Sequence, residues 1–472
     1  MKDLLNRQIL ALALPSIVSN ITVPLLGLCD VTIMGHIGGA ASIGAIAVGS
    51  MIFNVVYWLF GFLRMGTSGL TAQAYGREAA DSTLSILRSS LLTALALGTA
   101  IVVLQVPLQW LSFWLMQVSG DVEALCVHYY YTCVWGAPAM LGLYSLTGWC
   151  IGMQNTRIPM AIAICQNVLN IALSLLLVIV FRMGIEGVAI GTLTSQWAAF
   201  TAALLIVRGK WQGFRLRSLL VVVRLSLISP IRPISPIRPI SPIRPISPIR
   251  PISPISPISP ISPISPIIPI LKTYSDIFLR TLCLVAVNLY FTSAGAAQGA
   301  LVLAANTLLM QFFMFFSYVM DGFAFAGEAL AGKNYGAGDA PGLRCVVGRL
   351  FVWGVAVATL FTVAYWLCGP WLLSLLTTDA EVVGAAIVYL PWAWLIPAAG
   401  MAAFVWDGVF IGITATRQML WTCLAASVLF FALWFLLSPS VGNHALWIAL
   451  LAYLAMRGLL QTCAWKSLTK RL

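Results

Sequence analysis

The chain has 472 residues, of which 60% are hydrophobic and 8% are charged. A soluble domain carries about a quarter of its residues as charged side chains, so this composition excludes an ordinary soluble protein. The formal net charge of +12 does not indicate a nucleic-acid partner, because the basic residues are scattered singly between apolar runs. The sequence therefore predicts an integral membrane protein with many spanning helices.

Apolar runs long enough to cross a bilayer recur along the chain, with short polar segments between them. They predict an all-α membrane protein with twelve transmembrane helices in two six-helix lobes. The amino-terminal lobe is predicted at residues 1–211, a cytoplasmic inter-lobe linker at 212–272 and the carboxy-terminal lobe at 273–472. The helices are predicted at residues 9–34, 43–72, 84–105, 124–148, 159–181, 185–207, 274–296, 299–328, 345–369, 384–412, 418–438 and 443–463.

Basic residues in the loops predict the orientation of the chain in the membrane. The loops after odd-numbered helices contain one basic residue, Arg182, whereas those after even-numbered helices contain most of the others. Cytoplasmic loops are enriched in Lys and Arg, so the even loops and both termini are predicted to be cytoplasmic. The basic residues of the even loops, apart from those of the central segment, are Arg77, Arg157, Arg208, Lys210, Lys333, Arg344 and Arg417.

Two short motifs recur at the same spacing. Tyr75-Gly76 after the second helix recurs as Tyr335-Gly336 after the eighth, and residues 152–157 after the fourth resemble 412–417 after the tenth. Both pairs are 260 positions apart, which indicates an internal repeat. Six helices per repeat give both halves the same orientation, so the pseudo-two-fold axis is expected along the membrane normal. Two such bundles can enclose a cavity and open it to alternate sides.

The central segment from Ser229 to Ile270 has a proline at nearly every third position, in Ser-Pro-Ile-Arg-Pro-Ile and then Ser-Pro-Ile units. Proline at this density excludes an α-helix and favours polyproline II. The segment is interpreted either as a stiff, basic spacer or as a repeat expansion in a tolerant loop.

Four acids inside predicted helices are the main functional candidates, because an ionisable group at membrane depth is costly unless it is paired or faces water. A carboxylate there can hold a proton or a cation in turn, and competition between the two is the physical basis of antiport. Asp321 and Glu328 are seven residues apart, so they share one helix face. For each acid, structural pairing alone is the alternative. The four acids are Asp30, Asp321, Glu328 and Asp407.

Several other polar residues are candidate partners of these acids. Asn167 and Asn170 in the fifth helix could share hydrogen bonds with Asp30, or could simply hold helices together. Arg280 is a candidate ion-pair partner for one of the acids, and Arg64 is expected either to be structural or to line the cavity. The sequence contains no metal-binding motif, catalytic triad or phosphate loop, so we expect neither an enzyme nor a cofactor beyond the coupling ion.

Several segments resemble the multidrug and toxic compound extrusion (MATE) family, and in particular its DNA-damage-inducible protein F (DinF-like) branch. The resemblance covers the whole chain except about residues 220–270. It rests on Leu14-Pro15, Thr22–Gly27, Asp30, Gly35-His36, Leu63–Gly76, Met320–Ala324, Asp407–Gly412 and Gly442–Trp447.

The resemblance implies rocker-switch export of hydrophobic, often cationic compounds, driven by inward H⁺ or Na⁺. It also implies a bacterial inner-membrane protein, which we expect to be a monomer. Asp30 matches the family's proton-linked aspartate in the first helix. The family's fifth helix has an acid four residues after the asparagine, whereas here Asn170 is followed by Ser174. A relay of two carboxylates in the amino-terminal lobe is therefore not expected.

Three other functions are alternatives to drug antiport. A flippase for a lipid-linked precursor would need clustered basic side chains for phosphates, but only Arg64 and Arg280 are candidates and acids dominate the helices. A membrane enzyme would need a nucleophile with its base, or metal ligands, inside the helices. A nonfunctional, repeat-expanded copy is suggested by the proline-rich insert and by Ser174.

Overall fold

The computed structural model describes residues 2–37, 40–116, 121–210 and 267–469. Within these ranges every regular element is helical, and eleven helices are long and apolar enough to cross a membrane. Some side chains between residues 23 and 41, including that of Asp30, lie outside the described part of the chain. The proline-rich repeat falls almost wholly in residues 211–266, which also lie outside it.

The amino-terminal lobe contains its six predicted spans in the predicted order, two of them divided into shorter helices. A turn of 3₁₀-helix (Val134–Gly136) separates α6 from α7, and a π-helical turn (Leu176–Val180) follows α8. The elements are α1 (Lys2–Ile37), α2 (Ala40–Leu59), α3 (Phe62–Gly76), α4 (Ala80–Val103), α5 (Gln105–Met116), α6 (Asp121–Cys133), α7 (Ala137–Gly152), α8 (Arg157–Leu175) and α9 (Gly184–Lys210).

The carboxy-terminal lobe consists of six long, continuous helices. They are α10 (Ile267–Ala296), α11 (Ala300–Gly336), α12 (Ala340–Leu376), α13 (Ala380–Gly412), α14 (Thr416–Val441) and α15 (Asn443–Thr469).

Two predicted helices are interrupted in the structure. The second is divided into α2 and α3 at Phe60–Gly61, where glycine lowers helix propensity. The fourth is divided into α6 and α7 just before Pro138, which lacks the N–H for a helical bond and clashes with the carbonyl four residues earlier. The eleven candidate spans include α2 and α3 together as one segment, Ser42–Gly76, and the α6–α7 segment is the twelfth, so the twelve predicted spans are all present.

Other boundaries differ from the predictions at helix ends. The short helix α5 was not predicted, because its twelve residues are too few to cross a bilayer. Helix α11 continues eight residues past its predicted end at 328, and Asp339 then caps α12 by accepting a hydrogen bond from the Gly342 N–H (2.9 Å).

The prediction of polyproline II as far as Ile270 was wrong for its last four residues. Residues 267–270 form the first turn of α10. A first turn tolerates Pro269, since N–H groups there have no partner within the helix.

Equivalent positions of the two lobes make equivalent contacts. A Cβ atom placed on Gly148 of α7 would lie 2.2 Å from the carbonyl oxygen of Arg64 on α3. A Cβ atom on Gly408 of α13 would lie 2.2 Å from the carbonyl oxygen of Ala324 on α11. Both residues of the second pair follow those of the first by 260 positions. Glycine is therefore required at the same place in each lobe, which supports the repeat in atomic detail.

The lobes meet where α11 packs against α1 and α3 of the amino-terminal lobe. A Cβ atom on Gly76 would lie 2.0 Å from the carbonyl oxygen of Lys333, and one on Gly336 would lie 2.1 Å from that of Gln73. Since 333 and 336 follow 73 and 76 by 260 positions, the contact is reciprocal, as at a two-fold interface. We call this contact, between residues 64–76 of α3 and 328–336 of α11, the interlobe seam. It lies toward the even-loop ends of the helices.

Candidate functional site

Asp407 of α13 lies at the centre of a buried cluster in the carboxy-terminal lobe. Its Oδ2 atom accepts hydrogen bonds from Arg280 of α10 and from Nη2 of Arg457 on α15, the latter at 2.6 Å. Its Oδ1 atom accepts one from Nε2 of Gln461 at 2.9 Å. Arg280 is 3% exposed and Gln461 is 1% exposed. Both carboxylate oxygens are thus occupied, and one anion joins three helices.

Sequence reasoning suggested Arg280 as a partner for one of the acids but missed Arg457 and Gln461. The missed residues are four positions apart on α15, so they point to the same side of that helix. Arg457 lies inside the predicted helix 443–463, and the rule that singled out the acids applies equally to a basic residue at membrane depth. That signal could have found it.

Glu328 forms an ion pair across the interlobe seam. Nη1 of Arg64 lies 3.2 Å from Oε2 and 3.3 Å from Oε1 of Glu328. Glu328 is 1% exposed, and the Arg64 guanidinium also lies 4.0 Å from the centroid of the Phe325 ring. The pair therefore joins α3 of one lobe to α11 of the other in a nearly water-free setting.

Asp321 lies two turns before Glu328 on α11, where this helix packs against α1. Next to it, a Cβ atom on Gly322 would lie 2.4 Å from Cγ1 of Ile17, and the Tyr318 carbonyl accepts a hydrogen bond from Asn20 (3.2 Å). Within the described part of the chain, Asp321 makes no hydrogen bond and no ion pair. Of the described candidate acids, Asp321 is thus the one left available for a ligand.

Asn170 belongs to a hydrogen-bonded cluster between α8 and α9. Its Nδ2 atom donates to Oγ1 of Thr192 (3.0 Å) and to Oγ of Ser195 (3.4 Å), and its Oδ1 atom accepts from Oγ of Ser174 (3.4 Å). Asn170 is 1% exposed, and Ser174 is fully buried. The described partners of Asn170 are all uncharged, so the cluster can orient helices but cannot store a charge.

The predicted neighbourhood of Asp30 lies partly outside the described residues. Asn167 of α8 donates a hydrogen bond to the Thr22 carbonyl of α1 (3.2 Å), which ties these two helices together. The Asp30 side chain itself is not described. Its contact with Asn167 or Asn170 stays a prediction.

The ionisable groups of the site balance one another more evenly than the sequence suggested. Acids do not dominate the helices, because Arg457 also lies inside one, and the three described candidate acids are matched in number by Arg64, Arg280 and Arg457. No group of three or more His, Cys, Asp or Glu side chains suited to a metal ion occurs in the described ranges. The arrangement can bind or release a monovalent cation or a proton at Asp321 without further chemistry.

The chain is similar to known transporters over nearly its whole length. It is 34% identical over 464 residues to DNA damage-inducible protein F of Escherichia coli, covering 96% of this chain and 91% of that protein. It is 24% identical over 221 residues to "Probable multidrug resistance protein NorM" of Thermotoga maritima, covering 46% of this chain and 47% of that protein. The crystal structure of a MATE protein in the bent conformation has the same fold, with a TM-score of 0.81, 17% identity and coverage of 99% of this chain and 96% of that one.

The MatE family model matches the chain twice, at residues 15–176 and 277–438. The second match starts 262 positions after the first, which agrees with the repeat seen in the motifs and in the glycine contacts. The predictions of a twelve-helix membrane transporter and of an internal repeat are confirmed. The chain belongs to the MATE family of membrane transporters, and each of its two lobes is one copy of the family's repeating unit.

Proposed function

We propose that the chain is a secondary active antiporter that exports hydrophobic, cationic compounds in exchange for H⁺, or alternatively Na⁺, by alternating access. Membership in the MATE family and the name of the Thermotoga relative support drug efflux as the process. The fold, with two repeated lobes related by a pseudo-two-fold axis, supports alternating access.

One observation carries the proposal: Asp321 has no ion-pair partner in the described part of the chain and lies where α11 packs against α1 of the other lobe. An unpaired carboxylate at membrane depth is costly, so it gains stability by taking up a proton or a cation. Glu328 and Asp407 are already paired with arginine. We therefore assign cation exchange to Asp321, with Asp30 as the second acid that the family resemblance implies.

The proposal includes the placement of the protein. The family resemblance favours a bacterial inner-membrane protein, which we propose acts as a monomer, and the basic residues of the loops support cytoplasmic termini. The division into an amino-terminal lobe, a linker and a carboxy-terminal lobe is part of the same proposal, with the carboxy-terminal lobe starting at Ile267, where α10 begins, and not at the predicted residue 273. With this orientation the interlobe seam lies toward the cytoplasm.

The flippase alternative finds little support in the site. A phosphate-bearing lipid would need basic side chains free to bind it. Arg64 is paired with Glu328, and Arg280 with Asp407. Arg457 is paired with Asp407 as well. A nonfunctional copy is tested by asking whether the full-length chain inserts stably in a membrane and exports any dye.

The test is efflux of a fluorescent cationic dye in inverted membrane vesicles, with a pH gradient and a Na⁺ gradient imposed in turn. We expect Asp321→Asn and Asp30→Asn to abolish dye movement while the protein remains in the membrane. The matched control is Asp379→Asn, since Asp379 is an exposed acid that caps α13 and asparagine caps helices equally well. Dye movement by Asp321→Asn at the unsubstituted rate would overturn the assignment.

A further inference from the structure

The ion pair across the interlobe seam has no symmetric copy. The position equivalent to Arg64 in the second lobe is 324, and the position equivalent to Glu328 in the first lobe is 68. These positions hold Ala324 and Ser68, which cannot form an ion pair. An interface that is reciprocal in its backbone contacts thus carries an ion pair on one side of the two-fold axis and none at the equivalent position.

Close backbone contacts and side-chain hydrogen bonds close the seam around this pair. Beside the reciprocal glycine contacts, Nε2 of Gln73 donates to the carbonyl of Gly412 in the other lobe (2.9 Å). Nε2 of Gln154, at the end of α7, donates to the carbonyl of Ala329 on α11 (2.7 Å). The lobes therefore cannot part at this end without breaking these bonds and the ion pair together.

The charged surroundings of Glu328 make Arg64 its main partner. Of the helices packed against it, α3 contributes Arg64 at 3.2 Å and α10 contributes Arg280, which is already bonded to Asp407 of α13. On α11 itself, Asp321 is two turns away and carries the same sign. Removing one member of such a buried pair leaves the other charge without compensation, which is strongly destabilising.

We propose that Arg64 and Glu328 form the gate bond of the interlobe seam. The bond stabilises the arrangement in which the lobes touch at the even-loop ends, and it breaks each time they part. Glu328 is thereby a positioning residue that sets the balance between the two arrangements, and it does not carry the exchanged cation. This inference rests on the proposed function only in requiring that the lobes separate during transport.

The test measures opening of the seam without measuring transport. Ser68 is fully buried on α3, one turn after Arg64, and Ser68→Cys provides a nearly isosteric reporter there. The purified full-length protein in lipid nanodiscs is treated with N-ethylmaleimide, and modification of the peptide containing residue 68 is followed by mass spectrometry. Because mass spectrometry detects modification of this peptide separately, the native cysteines need not be replaced.

In this background we expect Glu328→Gln to speed modification at residue 68 by about tenfold, because the unpaired Arg64 favours the open seam. The matched control is Arg457→Gln, which breaks a buried ion pair within one lobe, leaves Arg280 bonded to Asp407, and should leave modification at residue 68 unchanged. Modification of Cys150, which is buried in the core of the amino-terminal lobe, reports general loosening of the fold.

A double-mutant cycle tests whether the two residues act as a pair. If Arg64→Gln is added to Glu328→Gln, modification at residue 68 should rise less than the two single effects combined, because no charge is left uncompensated. Three results would overturn the proposal: no acceleration in Glu328→Gln, additive effects in the cycle, or equal acceleration in the Arg457→Gln control. Since dye export enters none of these readings, a failure of the drug-antiport proposal would leave this test intact.

Discussion

Replacing Asp407 by asparagine should destabilise the carboxy-terminal lobe more than replacing Arg457 by glutamine. Asp407 is the anion that lies between two guanidinium groups, and all three side chains are at least 88% buried. Asp407→Asn leaves both cations uncompensated, and breaking a buried ion pair costs about 3–5 kcal/mol. Arg457→Gln leaves the bond between Arg280 and Asp407 in place and removes one hydrogen bond to a charged group, worth about 1.5–3 kcal/mol.

The second substitution also has a compensating effect. With two cations against one anion, the cluster carries an excess positive charge, and Arg457→Gln removes it. The two variants should therefore differ by about 2 kcal/mol or more in the free energy of unfolding, with Asp407→Asn the less stable.

The assay is the temperature at which half of the purified protein is lost from its monodisperse peak after heating in detergent. The unsubstituted protein and Asp379→Asn, at an exposed helix cap, should lose half at the same temperature. Asp407→Asn should lose half at a clearly lower temperature than Arg457→Gln. Equal temperatures for these two variants, or the reverse order, would refute the reasoning that Asp407 compensates two buried cations.

The same heating assay checks two further predictions. Gly76→Ala and Gly336→Ala should each destabilise the protein by about 1–3 kcal/mol, because the added methyl group would meet a carbonyl of the other lobe. Unchanged stability in both variants would show that the interlobe seam is not closed. Oδ1 of Asn306 accepts hydrogen bonds from Asn443 (2.9 Å) and Trp447 (3.0 Å). Asn306→Leu should lower the free energy of unfolding by about 1–3 kcal/mol, because those buried donors would lose their partner. A heating curve that matches the unsubstituted protein would count against this hydrogen-bond cluster as a source of stability.

The architecture could be predicted from the sequence because it depends on local signals. The lengths of the apolar runs predict the spanning helices, and the basic residues of the loops predict their orientation in the membrane. The spacing of 260 positions reveals the repeat. The interruptions at Gly61 and before Pro138 were missed, since an apolar run conceals a break in the helix. Their residue types carry the signal, because glycine and proline are the two residues least suited to a helix interior.

The candidate site could be predicted only in part. Asp321, Glu328 and Asp407 were all selected because they lie at membrane depth. The free-energy cost of an ionisable group there depends on the type of side chain and on its depth, so this criterion does not distinguish the three acids. What distinguishes them is their partners, and the partner of Glu328 is 264 positions away in the other lobe. Such a pairing depends on how the lobes dock, which no local pattern in the sequence encodes.

The central claim is that Asp321 carries the exchanged cation while Glu328 and Asp407 are held by arginine. The most direct measurement is counter-transport in proteoliposomes that contain the full-length protein, in which a dye gradient drives movement of H⁺ or Na⁺. We predict coupled movement in the unsubstituted protein and in Asp379→Asn, and none in Asp321→Asn, although that variant should remain folded in the heating assay. Coupled movement that persists in Asp321→Asn would contradict the claim.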